Sequence, residues 1–213
     1  MEIIEEAVQF MAEQDIGMGG EFLAYMALSG LPGPRRFVRN LLATAAAGET
    51  HDTEIDLVMV DTSGIYVIEA KEYSGWIFGR PGDVRWTQTL SNRRGGCEKH
   101  QFFNPLRQNF GHTRALRQNL AIFGEFPLYP VVVFSDNCVF RTRLSTPGEP
   151  VVHVRELAGT VTEIARKNNA RLDVDEMELI YRHLRLLENP SARRKEEHEM
   201  YVQSMRPPNQ NTA

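Results

Sequence analysis

The sequence contains only two cysteines, Cys97 and Cys138. Two thiols cannot build a disulfide framework, and they are too few for a structural zinc site made of cysteines. A zinc site that uses Cys97 and His100 lacks a second ligand pair at matching spacing, so we do not expect one.

Long apolar runs are also missing, since no stretch approaches the roughly 18 residues that a membrane span needs. The N-terminus, MEIIEEAVQF, is acidic where a signal peptide would be basic. A chain of 213 residues with 42% apolar and 24% charged residues is typical of one soluble globular domain. We therefore expect a cytoplasmic protein with no membrane partner.

The chain as a whole lacks a basic excess, because its net charge is −4. That balance argues against bulk binding of nucleic acid, but the charges are unevenly distributed. Residues 1–79 hold thirteen acidic and four basic residues, whereas residues 80–117, the basic island, hold eight basic and two acidic residues. Because Trp86, Phe102 and Phe103 lie within it, this island could follow a phosphate backbone and contact bases. A solvated charged loop explains the composition equally well.

Charged side chains interrupt two apolar runs in the segment EIDLVMVDTSGIYVIEAKEYSG, residues 54–75. The runs meet at the turn-forming residues 61–64, which is the pattern of a β-hairpin. Because side chains alternate along a strand, Glu69 and Lys71 share one face of the second strand.

The length of the turn decides where Asp56 lies. A two-residue loop, with Asp61 paired to Gly64, or a four-residue loop in the same register places Asp56 opposite Glu69, with Cβ atoms about 4.5–5.5 Å apart. That separation suits two carboxylates that share one hard cation. A three-residue loop that ends in a left-handed Gly64 would shift the register by one and turn Asp56 to the other face.

The same hairpin is compatible with a solvated edge strand. Glu69 and Lys71 would then form a surface ion pair that stabilises by less than about 1 kcal/mol. Apolar residues on both faces around the charges instead favour central strands that are covered on both sides. Charged groups taken partly out of water are costly unless they are paired or metal-bound, so their clustering indicates a functional site.

Apolar periodicity and turn residues predict the other elements. A helix is predicted from Asn104, which caps it ahead of Pro105, and His112 is predicted to lie on its surface. Its apolar stripe consists of Leu106, Phe110, Thr113, Leu116 and Leu120. The remaining predictions are helices at 2–14, 20–29, 155–168 and 174–188, strands at 35–43, 76–78, 84–90 and 129–136, a mobile loop at 91–101, and a charged tail at 189–213 that is disordered at its end.

In this order of elements, the sequence resembles the nuclease-related domain (NERD) family, a branch of the PD-(D/E)XK nuclease-like superfamily. The resemblance rests on GE at 20–21, EIDLVMV at 54–60, GIYVIEAKEYSG at 64–75, Trp86, and NPLRQNFGH at 104–112. It implies an α/β fold, in which an αβββαβ restriction-endonuclease-like core has a mixed central sheet flanked by helices, with C-terminal helices added. The expected domain covers residues 1–188, with its core at about 17–136.

The resemblance also implies the roles of individual residues. The family's active-site positions correspond to Glu21, Asp56, Glu69, Lys71 and Gln108. Asp56 and Glu69 would hold Mg²⁺ or Mn²⁺, and Lys71, with its pKa lowered by burial, would orient or deprotonate the attacking water. The residues expected to contact DNA phosphates are Arg85, Arg93, Arg94, Lys99, Arg107 and Arg114.

These observations predict a metal-dependent nuclease that acts on DNA. Two alternatives stay open at this level. One is a nucleic-acid-binding module that keeps the fold without catalysis, and the other is a protein-interaction domain whose partner uses the acidic N-terminal surface. The sequence leaves a protein partner or a homo-oligomer compatible with all three hypotheses.

Overall fold

The computed structural model describes residues 19–44, 51–92, 95–168, 171–188 and 192–205. The predicted helix at 2–14, the residues Arg93 and Arg94, and the end of the C-terminal tail lie outside these ranges. Among the residues described, no helix has the length and apolar character that crossing a membrane requires.

The described chain alternates between strands and helices in an order that brings two sheets together. The strands are β1 Arg35–Ala43, β2 Thr53–Asp61, β3 Gly64–Lys71, β4 Gly75–Phe78, β5 Arg85–Ser91, β6 Cys97–Phe103, β7 Leu128–Phe134, β8 Cys138–Phe140 and β9 Val151–His153. The helices are α1 Gly20–Ser29, α2 Pro105–Asn119, α3 Val154–Lys167, α4 Val174–Glu188 and α5 Ala192–Met205, with a 3₁₀ turn at Ala121–Phe123.

The main sheet has the strand order β1, β2, β3, β7, β9. Its first three strands are antiparallel, whereas β7 runs parallel to both β3 and β9, so the sheet is mixed. Helices α2 and α4 pack on one face through residues such as Leu116 and Ile180, and helices α1 and α3 pack on the other through Leu28 and Leu157. The predicted αβββαβ core with a mixed, helix-flanked sheet and C-terminal helices is confirmed.

A second sheet has the order β6, β5, β4, β8. Its strands β4, β5 and β6 come from the segment between β3 and α2, and β8, which follows β7, pairs with β4. The short strand pair near residues 76–78 and 84–90 is confirmed, but the mobile loop predicted at 91–101 is wrong for its second half. Residues Cys97–Phe103 form β6, which pairs in full with β5 from Ser91 to Arg85. The polar composition misled the prediction, because β6 is an edge strand with only Phe102 packed inward.

Helix α2 begins as predicted, since the Asn104 side chain accepts a hydrogen bond from the Leu106 amide and Pro105 occupies the first helical position. The predicted apolar stripe is wrong at Phe110, whose side chain is 57% exposed. The helix lies along the sheet through Leu106, Ala115 and Leu116, so Phe110 is directed to solvent.

The charged segment near the C-terminus forms helix α5 up to Met205. Its Arg194 side chain donates to Asp52, directly before β2, with Nη2 2.6 Å from Oδ2. The predicted disorder at the end of the tail lies outside the described residues.

Candidate active site

The β2–β3 hairpin sets the geometry of the site. Asp61 pairs with Gly64, which leaves a two-residue loop of Thr62 and Ser63. The Asp61 carboxylate accepts hydrogen bonds from the amide and hydroxyl of Ser63, and these contacts hold the turn. Gly64 has a φ of +138°, and a Cβ there would lie 2.7 Å from the Pro127 carbonyl oxygen, so only glycine fits. The register predicted for a two-residue loop is confirmed.

Asp56 lies where the β2–β3 pairing ends. The last backbone pair joins Leu57 to Ile68. One residue further on, the Asp56 side chain bonds to β3 in place of the backbone, because its Oδ2 accepts a hydrogen bond of 2.8 Å from the Ala70 amide. Burial raises the pKa of Asp56 well above its usual value, and the nearby charge of Glu69 raises it further. Asp56 is therefore a carboxylate held in place by β3 but poorly stabilised in its ionised form.

Glu69 is the centre of the site, and its side chain is fully buried. Its Oε1 lies 2.5 Å from Lys71 Nζ, and its Oε2 lies 2.9 Å from His112 Nε2. Burial alone would raise the pKa of Glu69, but the hydrogen bond from His112 and the charge of Lys71 outweigh burial and lower it. The alternative of an exposed surface ion pair is thus wrong, since Lys71 too is only 19% exposed.

His112 holds Glu69 from the opposite side, and the prediction that it is a surface histidine is wrong. Its exposed fraction is 3%. Its Nδ1 lies 2.7 Å from the Thr53 hydroxyl and its Nε2 lies 2.9 Å from Glu69 Oε2, so both ring nitrogens have hydrogen-bond partners. Thr53, His112 and Glu69 form one hydrogen-bonded chain from the start of β2 to the C-terminal part of β3.

Helix α2 supplies two side chains to this site because Gln108 and His112 are four residues apart and lie on the same side of the helix. Lys71 Nζ donates to Gln108 Oε1 at 3.1 Å. Between them, the buried Asn109 donates to the carbonyl oxygens of Val67 and Val131, which ties the helix to β3 and β7. The sheet and the helix are thereby fixed relative to each other at the point where the polar groups meet.

Glu21 approaches the same place from the first turn of α1 and is half-buried. Burial raises its pKa, and the charges of Glu54 and Glu69 add to the effect, whereas Arg39 opposes it. The structure therefore brings together all five side chains predicted for the site, Glu21, Asp56, Glu69, Lys71 and Gln108.

The prediction that burial lowers the pKa of Lys71 is wrong. Burial acts in that direction, but the attraction and hydrogen bond of Glu69 and the charge of Asp56 outweigh it, and the pKa is raised. Lys71 therefore carries its proton at neutral pH and acts as a cation and hydrogen-bond donor. A general-base role would require these carboxylate charges to be neutralised first.

The acidic side chains have the chemistry that a hard divalent cation requires. Glu21, Asp56 and Glu69 offer only oxygen ligands, and burial, to which their mutual repulsion adds, raises the pKa values of Asp56 and Glu21. Within the described ranges, no three acidic, histidine or cysteine side chains form a ready-made set of metal ligands. A Mg²⁺-like ion, which keeps several waters, fits such a partial set better than an ion that needs a full protein cage.

The predicted phosphate-contacting residues are distributed over several elements. Arg85 and Lys99 are exposed on β5 and β6, and Arg114 is exposed on α2. Arg107 is also exposed, but its guanidinium donates to the carbonyl oxygens of Gly82 and Asp83 and so braces the preceding turn. Arg93 and Arg94 lie outside the described residues.

Sequence reasoning missed His112 and Thr53 as members of the site. The available signal was the spacing of His112 from Gln108, because a residue four positions along a helix must face the same neighbour. Thr53 had no such signal, since its hydroxyl reaches His112 only through the packing of α2 on the sheet.

Comparison with known proteins places this arrangement in a family. The family model described as nuclease-related domain matches residues 16–135, which is more than half of the chain. The chain is also similar to an uncharacterized protein of Bacillus anthracis, with 28% identity over 167 residues that cover 78% of this chain and 73% of that protein. No solved structure matches it significantly. The matched segment contains β1, β2, β3 and α2 with all of the site residues, and the chain belongs to the nuclease-related domain family.

Proposed function

We propose that this protein is a metal-dependent nuclease that hydrolyses phosphodiester bonds in DNA. The observation that carries the proposal is the buried Glu69, whose two oxygens meet Lys71 and His112 while Asp56 and Glu21 crowd against it. A domain that only binds DNA gains nothing from carboxylates placed where phosphates would come. Membership in a nuclease-related family agrees with this reading.

Asp56 and Glu69 are the residues that would hold Mg²⁺ or Mn²⁺, with Glu21 able to contribute through water. When bound, such an ion supplies Lewis-acid stabilisation of the charge that develops on the phosphodiester. The raised pKa of Asp56 is consistent with this role, because a carboxylate that is costly to ionise alone becomes favourable beside a cation.

Lys71 would place its protonated amine beside the scissile phosphate, where it donates a hydrogen bond to the attacking water or to a phosphate oxygen. Gln108 accepts from Nζ at 3.1 Å and so restricts where the amine can lie. Arg85, Lys99 and Arg114 are proposed to neutralise flanking phosphates, which would make binding weaken as the salt concentration rises. We further propose that the protein works in the cytoplasm, where DNA is its partner.

One observation favours a second candidate function, a nucleic-acid-binding domain that has kept the fold without catalysis. Glu69 Oε2 is hydrogen-bonded to His112 and Oε1 is ion-paired with Lys71 at 2.5 Å, so an ion must compete with Lys71 for Oε1. If that competition fails, the site remains an internal ion pair and the protein binds DNA without cutting it.

A cleavage assay on purified protein distinguishes the two candidates. We expect linear, circular, branched or single-stranded DNA to be cut with Mg²⁺ or Mn²⁺, and cleavage to stop with EDTA. Glu69→Gln should reduce cleavage to background because it removes a charge from the proposed ligand set. Calorimetric titration should show Mn²⁺ binding to the wild type but much weaker binding to Glu69→Gln. Substrates that are bound but left intact, together with no Mn²⁺ binding, would favour the second candidate.

His112 is expected to act as a positioning residue through Glu69. His112→Ala leaves Oε2 of a buried carboxylate without its donor, so Mn²⁺ affinity or cleavage should fall about 10- to 100-fold. His112→Gln, whose amide can donate to Glu69, should recover part of the loss. His100→Ala is the matched control, because His100 is an exposed histidine on β6. Equal loss in the alanine and glutamine variants, with unchanged Mn²⁺ affinity, would contradict the positioning role.

A further inference from the structure

The second sheet has two faces of opposite character. Its inner face packs Ile77, Trp86 and Phe102 against Phe134 of the main sheet. Its outer face carries exposed aromatic rings, since Trp76 is 43% exposed, Phe78 36% and Phe103 48%. Because side chains alternate along each strand, all three rings belong to the same outer face.

Backbone pairing places the outer-face side chains in rows across the four strands. One row runs from Val139 through Trp76 and Thr89 to Lys99. The next contains Phe78, Thr87 and Gln101, and beyond it Arg85 pairs with Phe103. The rings therefore sit side by side with polar and cationic groups on neighbouring strands.

At the edge of the outer face, Phe103 shares a cavity with Glu149, but the charged side chains at the paired positions of this outer face are all cations. Its cations are Arg85 and Lys99, together with Arg141 directly after β8, whose guanidinium carbon lies 4.3 Å from the centre of the Trp76 ring. None of the paired outer-face positions in the described strands is a carboxylate. Glu98 lies on β6, but alternation turns it to the opposite face from Lys99.

A polar group at the centre of the face also lacks a partner. Thr89 is only 6% exposed between Trp76 and Lys99, and within the described residues its hydroxyl makes no hydrogen bond. A buried hydroxyl without a partner costs free energy that a hydrogen-bonding group of a ligand could recover.

From these observations we propose that the outer face of the second sheet binds single-stranded nucleic acid. Unpaired bases would stack on Trp76, Phe78 and Phe103, while Arg85, Lys99 and Arg141 would neutralise the backbone phosphates. Exposed aromatics on a four-stranded sheet can stack on two or three unpaired bases, whereas paired bases in a duplex keep their ring faces covered. This proposal rests on the proposed function only in naming single-stranded nucleic acid as the nuclease substrate. The binding itself can be measured without cleavage.

Tryptophan fluorescence in EDTA tests the proposal on the intact chain. The chain has two tryptophans, and Trp86 is 1% exposed with its Nε1 donating to the Arg80 carbonyl oxygen. An oligothymidylate of about 15 nucleotides should therefore quench the emission through Trp76. Trp76→Phe should abolish the quenching but keep most of the affinity. A duplex of the same length should bind more weakly and quench less.

Paired variants separate stacking from charge. Trp76→Ala with Phe78→Ala should weaken oligothymidylate binding at least about tenfold. Arg85→Gln, Lys99→Gln and Arg141→Gln together should lower the slope of log affinity against log salt by about 2. The matched controls are Leu186→Ala, an exposed apolar residue on α4, and Arg166→Gln with Arg182→Gln, all of which should bind like the wild type.

Three results would overturn the proposal. They are unchanged affinity in the Trp76→Ala and Phe78→Ala variant, equal binding and quenching by duplex and single strand, or conversion of a dimer to a monomer by the same variant in sedimentation. The last result would assign the face to self-association. Because the binding test is run in EDTA, its result does not depend on whether the protein is a nuclease. A chain that binds single strands through this face but does not cut DNA would support the binding proposal and contradict the nuclease proposal.

Discussion

Lys71→Met is expected to lower DNA cleavage by about 10²- to 10⁴-fold at neutral pH. Methionine keeps the apolar stem in its partly buried position but removes the charge that lies 2.5 Å from Glu69 and donates to Gln108. The rate should fall because, among the described residues, no other cation is ion-paired with Glu69 Oε1 and could replace the Lys71 amine. Cleavage of a labelled substrate in Mn²⁺ measures the effect.

Two companion measurements keep this result interpretable. Lys71 and a metal ion compete for Glu69, so Mn²⁺ should bind Lys71→Met at least as tightly as the wild type, which separates lost chemistry from lost metal. Lys167→Met is the control, because it breaks an exposed Lys–Glu pair of 2.6 Å on α3 and should leave cleavage unchanged. Cleavage within about threefold of the wild type would remove Lys71 from the catalytic machinery.

Asp56→Asn is expected to stabilise the metal-free protein by about 1–3 kcal/mol while abolishing cleavage. Asparagine keeps an oxygen that can accept from the Ala70 amide but carries no charge beside Glu69. Thermal unfolding in EDTA should then occur about 2–4 °C higher for each kcal/mol gained. An equal or lower melting temperature, with the fold intact, would show that Asp56 does not destabilise the protein.

The pH dependence of this stabilisation has a definite sign. The pKa of Asp56 is raised in the folded protein, so the folded state binds the proton more tightly than the unfolded chain. Stability from this group is present at low pH and is lost as pH rises from the ordinary carboxyl range through the raised pKa. The advantage of Asp56→Asn should therefore grow with pH over that interval. A difference that stays constant with pH would contradict the pKa shift.

Metal should reverse the order of stability of the two proteins. Mn²⁺ at about 1,000 times its dissociation constant would stabilise the wild type by about 4.1 kcal/mol, which exceeds the advantage of Asp56→Asn, since binding to the native state adds to folding. Asp56→Asn lacks one proposed ligand and should gain little. Wild-type protein whose melting temperature does not respond to Mn²⁺ would favour the binding-module alternative.

The hairpin was predictable because its determinants are local. The turn residues at 61–64 predict the hairpin, and strand alternation places Lys71 on the same face as Glu69. The structure decided the loop length, because the Asp61–Gly64 pair selects the register that brings Asp56 to that face. The start of α2 was equally accessible, because Asn104 and Pro105 act on the first turn of their own helix. These local rules, with the resemblance to a family, were enough to name five side chains that the fold brings together.

Long-range packing decided what the local rules could not. Whether His112 faced solvent or Glu69 depended on how α2 lies across β3, and this in turn depends on the contacts of Asn109 with two strands. The direction of the Lys71 pKa shift depended on whether burial or the charges of Glu69 and Asp56 dominate, which requires distances. Strand β6 was not predicted because its residues are mostly polar, and its strand conformation depends on backbone pairing with β5.

The sequence by itself determined the order of the core elements, the β-hairpin with Glu69 and Lys71 on one face, and the acidic and cationic residues available to the site, because these follow from turn chemistry and periodicity within a few residues. Only the tertiary structure decided which groups touch Glu69, which aromatic rings are buried with Trp86 and which lie exposed with Trp76. Those outcomes arise from contacts between segments far apart in the chain. Burial and charge effects there depend on interatomic distances of a few ångströms, which the sequence does not specify.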